Sequence, residues 1–151
     1  MAEQSESNVQ FNLERIYTKD ISYESPAVPQ VFLEQAAPQL DMQLGVHHAA
    51  IQSSDGLFEV VLTVSVSAKH AGKSIFLVEV QQAGLFRIVG IAGKSLERAL
   101  EISGAYILLP FAREAINDLV GKGGFPQLLI NPINFETLYE QKQAAARKSA
   151  N

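Results

Sequence analysis

Apolar and polar residues alternate from Val9 onward. Val9, Phe11, Leu13, Arg15 and Tyr17 fall on one face of an extended segment, and Gln10, Asn12, Glu14, Ile16 and Thr18 on the other. Ser25-Pro26-Ala27-Val28-Pro29 ends this first strand, because proline removes a ladder donor. After an irregular stretch to Pro38, Leu40, Met42, Leu44 and Val46 alternate with Asp41, Gln43, Gly45 and His47, which predicts a second strand. Ser53-Ser54-Asp55-Gly56 reads as a turn. The third strand is the clearest, with Phe58, Val60, Leu62, Val64 and Val66 on one side. After a turn at 69–73, the fourth runs from Ser74 to about Gln82. Phe76, Val78, Val80 and Gln82 lie on one face of it, Ile75, Leu77, Glu79 and Gln81 on the other, so both faces carry apolar groups. A sheet with one wet face reads apolar-in and polar-out, and the excess predicts that the second face is covered, for instance by another subunit.

The period then changes. Ser95 is a candidate N-cap for a helix through Leu96, Ala99 and Leu100, with Gly104 and Pro110 as interruptions. Two apolar rows, Phe111-Ala115-Leu119 and Ala112-Ile116-Val120, end at Gly121 and Gly123-Gly124. Residues 125–133 form a loop of unusually apolar character bounded by Pro126 and Pro132. Asn134 is placed to cap a last helix through Phe135, Leu138, Tyr139 and Lys142. Strands first and helices last predict an α+β fold on an antiparallel sheet. The organisation expected is a disordered tail over 1–8, one domain over 9–142 and a flexible tail over 143–151.

Composition changes this picture mainly by subtraction. A chain of 151 residues with 47% hydrophobic and 19% charged residues suits one soluble domain that needs no disulfide or metal to hold it. Zero Cys removes thiolate chemistry and Cys-type zinc sites. The polar, acidic start lacks the features of a signal peptide, and no apolar run nears the ~20 residues of a membrane span, so a cytoplasmic protein without direct membrane insertion is expected. Residues 1–90 hold ten Asp/Glu against five Lys/Arg, and residues 91–151 hold six against seven. An acidic, strand-rich half is a poor nucleic-acid surface but suits a basic protein partner.

Candidate chemistry is sparse. Gly-Lys-Ser occurs at 72–74 and 93–95, but a phosphate loop needs a glycine five residues before its second glycine, and those positions are Ser67 and Ile88. His47 and His48 are strand neighbours and point to opposite faces, so they cannot chelate one metal together. No cofactor, metal site or catalytic residue is expected, and the chain does not read as an enzyme.

Four stretches carry a resemblance. They are Ile16-Tyr17-Thr18-Lys19-Asp20-Ile21-Ser22 with Pro29-Gln30-Val31-Phe32, Glu79 to Phe86, Gly104 to Glu114, and Gly124-Phe125-Pro126-Gln127-Leu128 with Pro132-Ile133-Asn134-Phe135. In register over about Val9 to Tyr139, they closely resemble the SecB family of bacterial protein-export chaperones. The resemblance implies a four-stranded antiparallel sheet with helices packed on one side. It also implies a homotetramer built as a dimer of dimers, with Val78, Val80 and Gln82 at positions that affect subunit assembly. The implied partners are unfolded precursor proteins and the ATPase SecA, and the chaperone itself hydrolyses nothing. By the resemblance, Asp20, Glu24, Leu77 and Glu79 match an acidic SecA-facing surface. Met42, Leu44, Phe76, Phe111, Phe125 and Phe135 are candidates for the client groove, though each is also of a type that core packing would keep.

Two departures from the family pattern bear on partners. Gln35-Ala36-Ala37 stands where some members have a Trp, and the C-terminal Ala146-Arg147-Lys148-Ser149 is basic where some are acidic. Two other readings stay open: a same-fold chaperone dedicated to one partner such as an antitoxin, and a carrier of a small apolar ligand.

Overall fold

Four strands form one antiparallel sheet: β1 (Gln10–Glu24), β2 (Gln39–Ala50), β3 (Leu57–His70) and β4 (Lys73–Val89), in the order β1-β4-β3-β2. The computed structural model describes residues 8–35, 37–52 and 55–149. Residues 1–7 and 150–151 of the expected tails, Ser53 and Ser54 of the expected turn, and Ala36 lie outside the described residues. β2, β3 and β4 follow one another as hairpins, whereas β1 crosses over to pair with β4. A short 3-10 helix (Gln30–Leu33) lies in that crossover.

β3 sets the two faces of the sheet. Val60, Leu62, Val64 and Val66 are buried on one side, with Phe76, Val78, Val80, Phe86 and Ile88 of β4 beside them. Helices cover this side. α1 (Gly93–Arg98), a π-helical turn (Ala99–Ser103) and α2 (Gly104–Lys122) follow without a break, and α3 (Phe135–Ser149) comes last. Ala112, Ile116 and Val120 form the buried stripe of α2, as their spacing predicts. Among the described residues, no α-helix packs on the opposite face of the sheet.

Several local expectations are corrected. Strict alternation along β1 fails at two bulges, where Glu14 and Lys19 are extra residues against β4. Each bulge shifts the period by one. Phe11 packs on Phe86 at a centroid distance of 5.6 Å, but beyond Glu14 it is Ile16 that turns to the core, and Tyr17 moves to the open face. β4 runs to Val89, past the expected end at Gln82. Ile75 is buried beside the crossover segment, whose Ser25 Oγ donates to its carbonyl at 2.9 Å, so part of the excess on that face is covered by the chain itself. Ala92, not Ser95, precedes the first helical residue. Gly104 does not interrupt the helix, because it is buried against Val60. Pro110 is exposed, where water can serve the carbonyl it leaves unbonded. Asn134 does cap α3, its Oδ1 accepting from Thr137 N at 3.0 Å. The helix then continues to Ser149 through the region expected to be a flexible tail. Ala144-Ala145-Ala146 are the strongest helix formers, and Arg147 and Lys148 in the last turn complement the helix dipole.

Candidate binding surfaces

On the open face, the antiparallel register brings β1 and β4 residues together. Glu24 lies opposite Leu77, Ser22 opposite Glu79 and Asp20 opposite Gln81, and residues directly opposite share a face. Asp20, Glu24, Leu77 and Glu79 therefore form one patch, with Leu77 40% exposed in it. Ser65, the β3 partner of Glu79, donates its hydroxyl to Glu79 Oε2 at 2.7 Å. The ion pairs of β1 are made with other carboxylates: Lys19, which lines the same open-face hollow as Glu79, reaches Glu59 at 3.1 Å, and Arg87 reaches Glu14 at 2.6 Å. Among the described residues no cation is within pairing distance of Asp20, Glu24 or Glu79. Tyr17 donates to the other oxygen of Glu59 at 2.6 Å. Burial, and then the Glu59 carboxylate, raise the Tyr17 phenol well above its ordinary range.

The helix side carries a run of aromatic rings from the core to the surface. Tyr23 stacks on Phe76 at 6.2 Å, Phe76 meets Phe125 at 5.2 Å, and Phe125 meets Phe32 at 5.2 Å. Phe76 is 2% exposed and Phe32 is 50% exposed, with Leu33 and Leu129 more exposed still. The crossover and the 125–133 loop thus share an apolar surface. Asn117 of α2 holds that loop: its Oδ1 accepts from Leu128 N at 2.7 Å, and its Nδ2 donates to Leu128 O at 3.2 Å. Gly123 lets the loop begin, since a Cβ there would overlap Tyr23 Oη.

The structure divides the six groove candidates. Phe76 and Phe135 are core residues in this chain, with Phe135 1% exposed and edge-on to Tyr106 at 4.9 Å. Phe125 and Leu44 are half-buried, while Met42 and Phe111 are exposed, Phe111 by 46%. Met42 and Leu44 lie on β2 and Phe111 on the outer side of α2, apart from the ring run. Val78, Val80 and Gln82 are all buried beneath the helices, with Gln82 Nε2 donating to Tyr17 O at 3.1 Å. Sequence reasoning missed Phe32, Leu33, Leu129 and Asn117. Three of these are large apolar residues in segments flanked by proline or glycine, which was the available signal; Asn117 had none.

A second polar cluster lies between β2 and α3. Glu101, in the π-helical turn, is buried, and it meets His48 Nδ1 at 2.7 Å and Lys142 Nζ at 3.0 Å. Nearby, Tyr139 donates to Glu97. That bond chiefly pushes the Tyr139 phenol up to about 12 and lowers the Glu97 carboxyl. Among the described residues no three His, Asp or Glu converge as a metal site would need, and no helix is long and apolar enough to cross a membrane.

This architecture has a counterpart among solved structures. A SecB-like chaperone of Mycobacterium tuberculosis, in complex with a ChAD peptide from the HigA1 antitoxin, matches with a TM-score of 0.66 over 82% of this chain and 91% of that one, at 16% identity. The fold is that of a SecB-like chaperone. In sequence the relation is closer. The family described as preprotein translocase subunit SecB matches residues 4–146. The protein-export protein SecB of Chromobacterium violaceum is 50% identical over 151 residues, covering 100% of this chain and 99% of the relative. That of Methylobacillus flagellatus is 44% identical over 138 residues, covering 91% and 87%. The chain belongs to the SecB family.

Proposed function

We propose that this protein is a cytoplasmic, ATP-independent holding chaperone. It binds unfolded precursor proteins through the apolar surface on the helix side and delivers them to SecA through the acidic patch on the open face of the sheet. The observation that carries this reading is the separation of the two surfaces. Among the described residues, the carboxylates Asp20, Glu24 and Glu79 lie without a cation in pairing distance on one side of the sheet, and the exposed Phe32, Leu33 and Leu129 of the crossover and the 125–133 loop lie on the other.

Burying one large apolar side chain is worth about 1.5–3 kcal/mol, while association costs about 4–15 kcal/mol. A single pocket therefore holds a client weakly, and several pockets joined in a homotetramer, a dimer of dimers, raise the effective concentration of each further contact. Val78, Val80 and Gln82 would affect assembly indirectly, by supporting the helix whose outer side presents Tyr106 and Phe111. Phe32, Leu33 and Leu129 are the client contacts best placed by exposure, with the half-buried Phe125 behind them and Met42 and Leu44 as a separate contact on β2. Phe76 and Phe135 would act as their support.

The deciding experiment is the mass in solution, by light scattering on a sizing column, with and without a urea-diluted unfolded precursor and no nucleotide. Four chains that gain about one client are expected, and a monomer that ignores the client would sink the proposal. For the second surface, Asp20→Ala should weaken SecA binding about two- to fivefold at low salt, the scale of one exposed ion pair, and leave client holding intact. Equal loss of both would refute the division into two surfaces. The likeness to a chaperone bound to an antitoxin peptide favours a second reading, a dedicated partner; loss of SecA binding altogether would select it.

A further inference from the structure

α3 is fastened differently along its two sides. On the side toward α1, Arg98 reaches Glu136 and Glu140 at 3.5 and 3.7 Å, and Glu97 takes Tyr139 and Gln143. Arg98 also lies 5.4 Å from the centroid of the Tyr139 ring. The buried Phe135 and Tyr139 form the line between the two sides. On the side toward β2, among the described residues, one side chain makes the polar fastening. Lys142 Nζ donates to Val46 O at 2.8 Å and to Glu101 Oε1 at 3.0 Å. Between α3 and β2 lies a trough of about 310 Å³, walled by Leu44, Val46, Phe135, Leu138 and Tyr139.

The fastening on the β2 side is built to release. Burying a carboxylate without a partner is unfavourable, and a buried ion pair often stabilises no better than an apolar pair of the same shape. Glu101 has a second partner that does not depend on Lys142, because its Oε2 lies 2.7 Å from His48 Nδ1 of β2. Lys142 is 47% exposed along its side chain and can move into water at once. The π-helical turn that carries Glu101 is a rare geometry found mostly at functional positions. β2 is an edge strand, and the Lys142 ammonium now occupies one of its outer carbonyls, a common guard against pairing with another chain.

We propose that α3 is a hinged door on the trough, with its hinge along α1 and its catch at Glu101–Lys142. Release of Lys142 lets the Leu138–Lys142 side swing from β2, which offers an extended apolar chain a wider trough and the free edge of β2. The inference rests on the client-holding reading for its ligand, though the motion of the door is measured without one.

The test is amide hydrogen exchange on the full-length protein carrying Lys142→Met, which keeps the stem and removes the charge. Lys122→Met, which breaks an exposed pair with Asp118 at the far end of α2, is the control. Amides of 138–146 should exchange about tenfold faster in Lys142→Met and in Glu101→Gln, with those of 60–66 and the whole of Lys122→Met unchanged. Unchanged exchange at 138–146 in Lys142→Met would overturn the catch. A reduced, carboxymethylated globular protein, permanently unfolded, should bind Lys142→Met at least threefold more tightly than the native chain. Faster exchange with equal binding would overturn the door as a client gate. If the native chain binds no such probe at all, it is the holding function that fails.

Discussion

Phe76 and Phe111 are both phenylalanines named as candidates for the client groove, but the structure assigns them opposite energetics. Phe76 is buried and touches Tyr23 and Phe125. Truncating a buried Phe to Ala costs about 3–5 kcal/mol, and the two ring contacts, at about 0.5–1.5 kcal/mol each, put Phe76→Ala in the upper part of that range. For a chain of this length, about 2–4 °C per kcal/mol converts this to a melting temperature lower by about 6–20 °C. Phe111 is 46% exposed. Truncation there forfeits roughly half of a side-chain burial, about 1 kcal/mol, unless another subunit covers it. Urea unfolding followed by circular dichroism at two protein concentrations separates the cases. Phe76→Ala should lower the midpoint equally at both concentrations. Phe111→Ala should lower it slightly at both, and by a further amount at the lower concentration to the extent that assembly is lost. A Phe76→Ala protein of native midpoint that fails to hold clients would show that Phe76 is a contact and not a support, and would refute the reasoning.

Other expectations follow from single contacts. Asn117→Ala removes both bonds to Leu128 and should destabilise by about 1–3 kcal/mol, with faster amide exchange over 125–130. Tyr23 Oη is buried without a hydrogen-bond partner among the described residues, so Tyr23→Phe should be neutral or stabilising by up to about 1 kcal/mol, measured by the same urea titration; Gly123→Ala should destabilise, since its Cβ would overlap that hydroxyl. The Tyr139–Glu97 bond sets a pH window for α3. A raised Tyr139 contributes stability that is whole below its unfolded value and is lost as pH climbs through about 12. A lowered Glu97 contributes stability that is present above its unfolded value and is lost as pH falls through its folded one. Helix content should therefore fall at both extremes, and Tyr139→Phe should weaken the alkaline limb, to which Tyr17 also contributes, while phenolate absorbance loses one late-titrating group.

The parts of the fold that were legible are those where one period runs unbroken. β3 alternates from Phe58 to Val66 with no extra residue, and every expected inward position there from Val60 is buried. β1 misled because Glu14 and Lys19 are bulged. A bulge is specified by the partner strand and not by the residue itself, so nothing local marks it. Ser95 misled because α1 already begins at Gly93, a residue type that does not mark a helix start, so Ser95 lies inside the first turn. Residue type also could not separate Phe76 and Phe135, which the core holds, from Phe125 and Phe111, which it does not. The acidic patch was accessible only by resemblance, because Asp20 and Glu24 meet Leu77 and Glu79 through a crossover. The Glu101 cluster was out of reach, since its contacts span 53 residues to His48 and 41 to Lys142.

That crossover also orders events in time. β1 leaves the ribosome first but pairs only with β4, so Gln82 must reach back 65 residues to Tyr17, and Arg87 must reach 73 to Glu14. At synthesis rates of about 5–20 residues per second, β1 waits roughly 3–15 s with Phe11 and Ile16, which pack on the core once folded, uncovered, while β2, β3 and β4 close as successive hairpins. The strand made first is the last to be placed, and for those seconds the nascent chain presents the kind of extended, apolar segment that its folded form is proposed to bind.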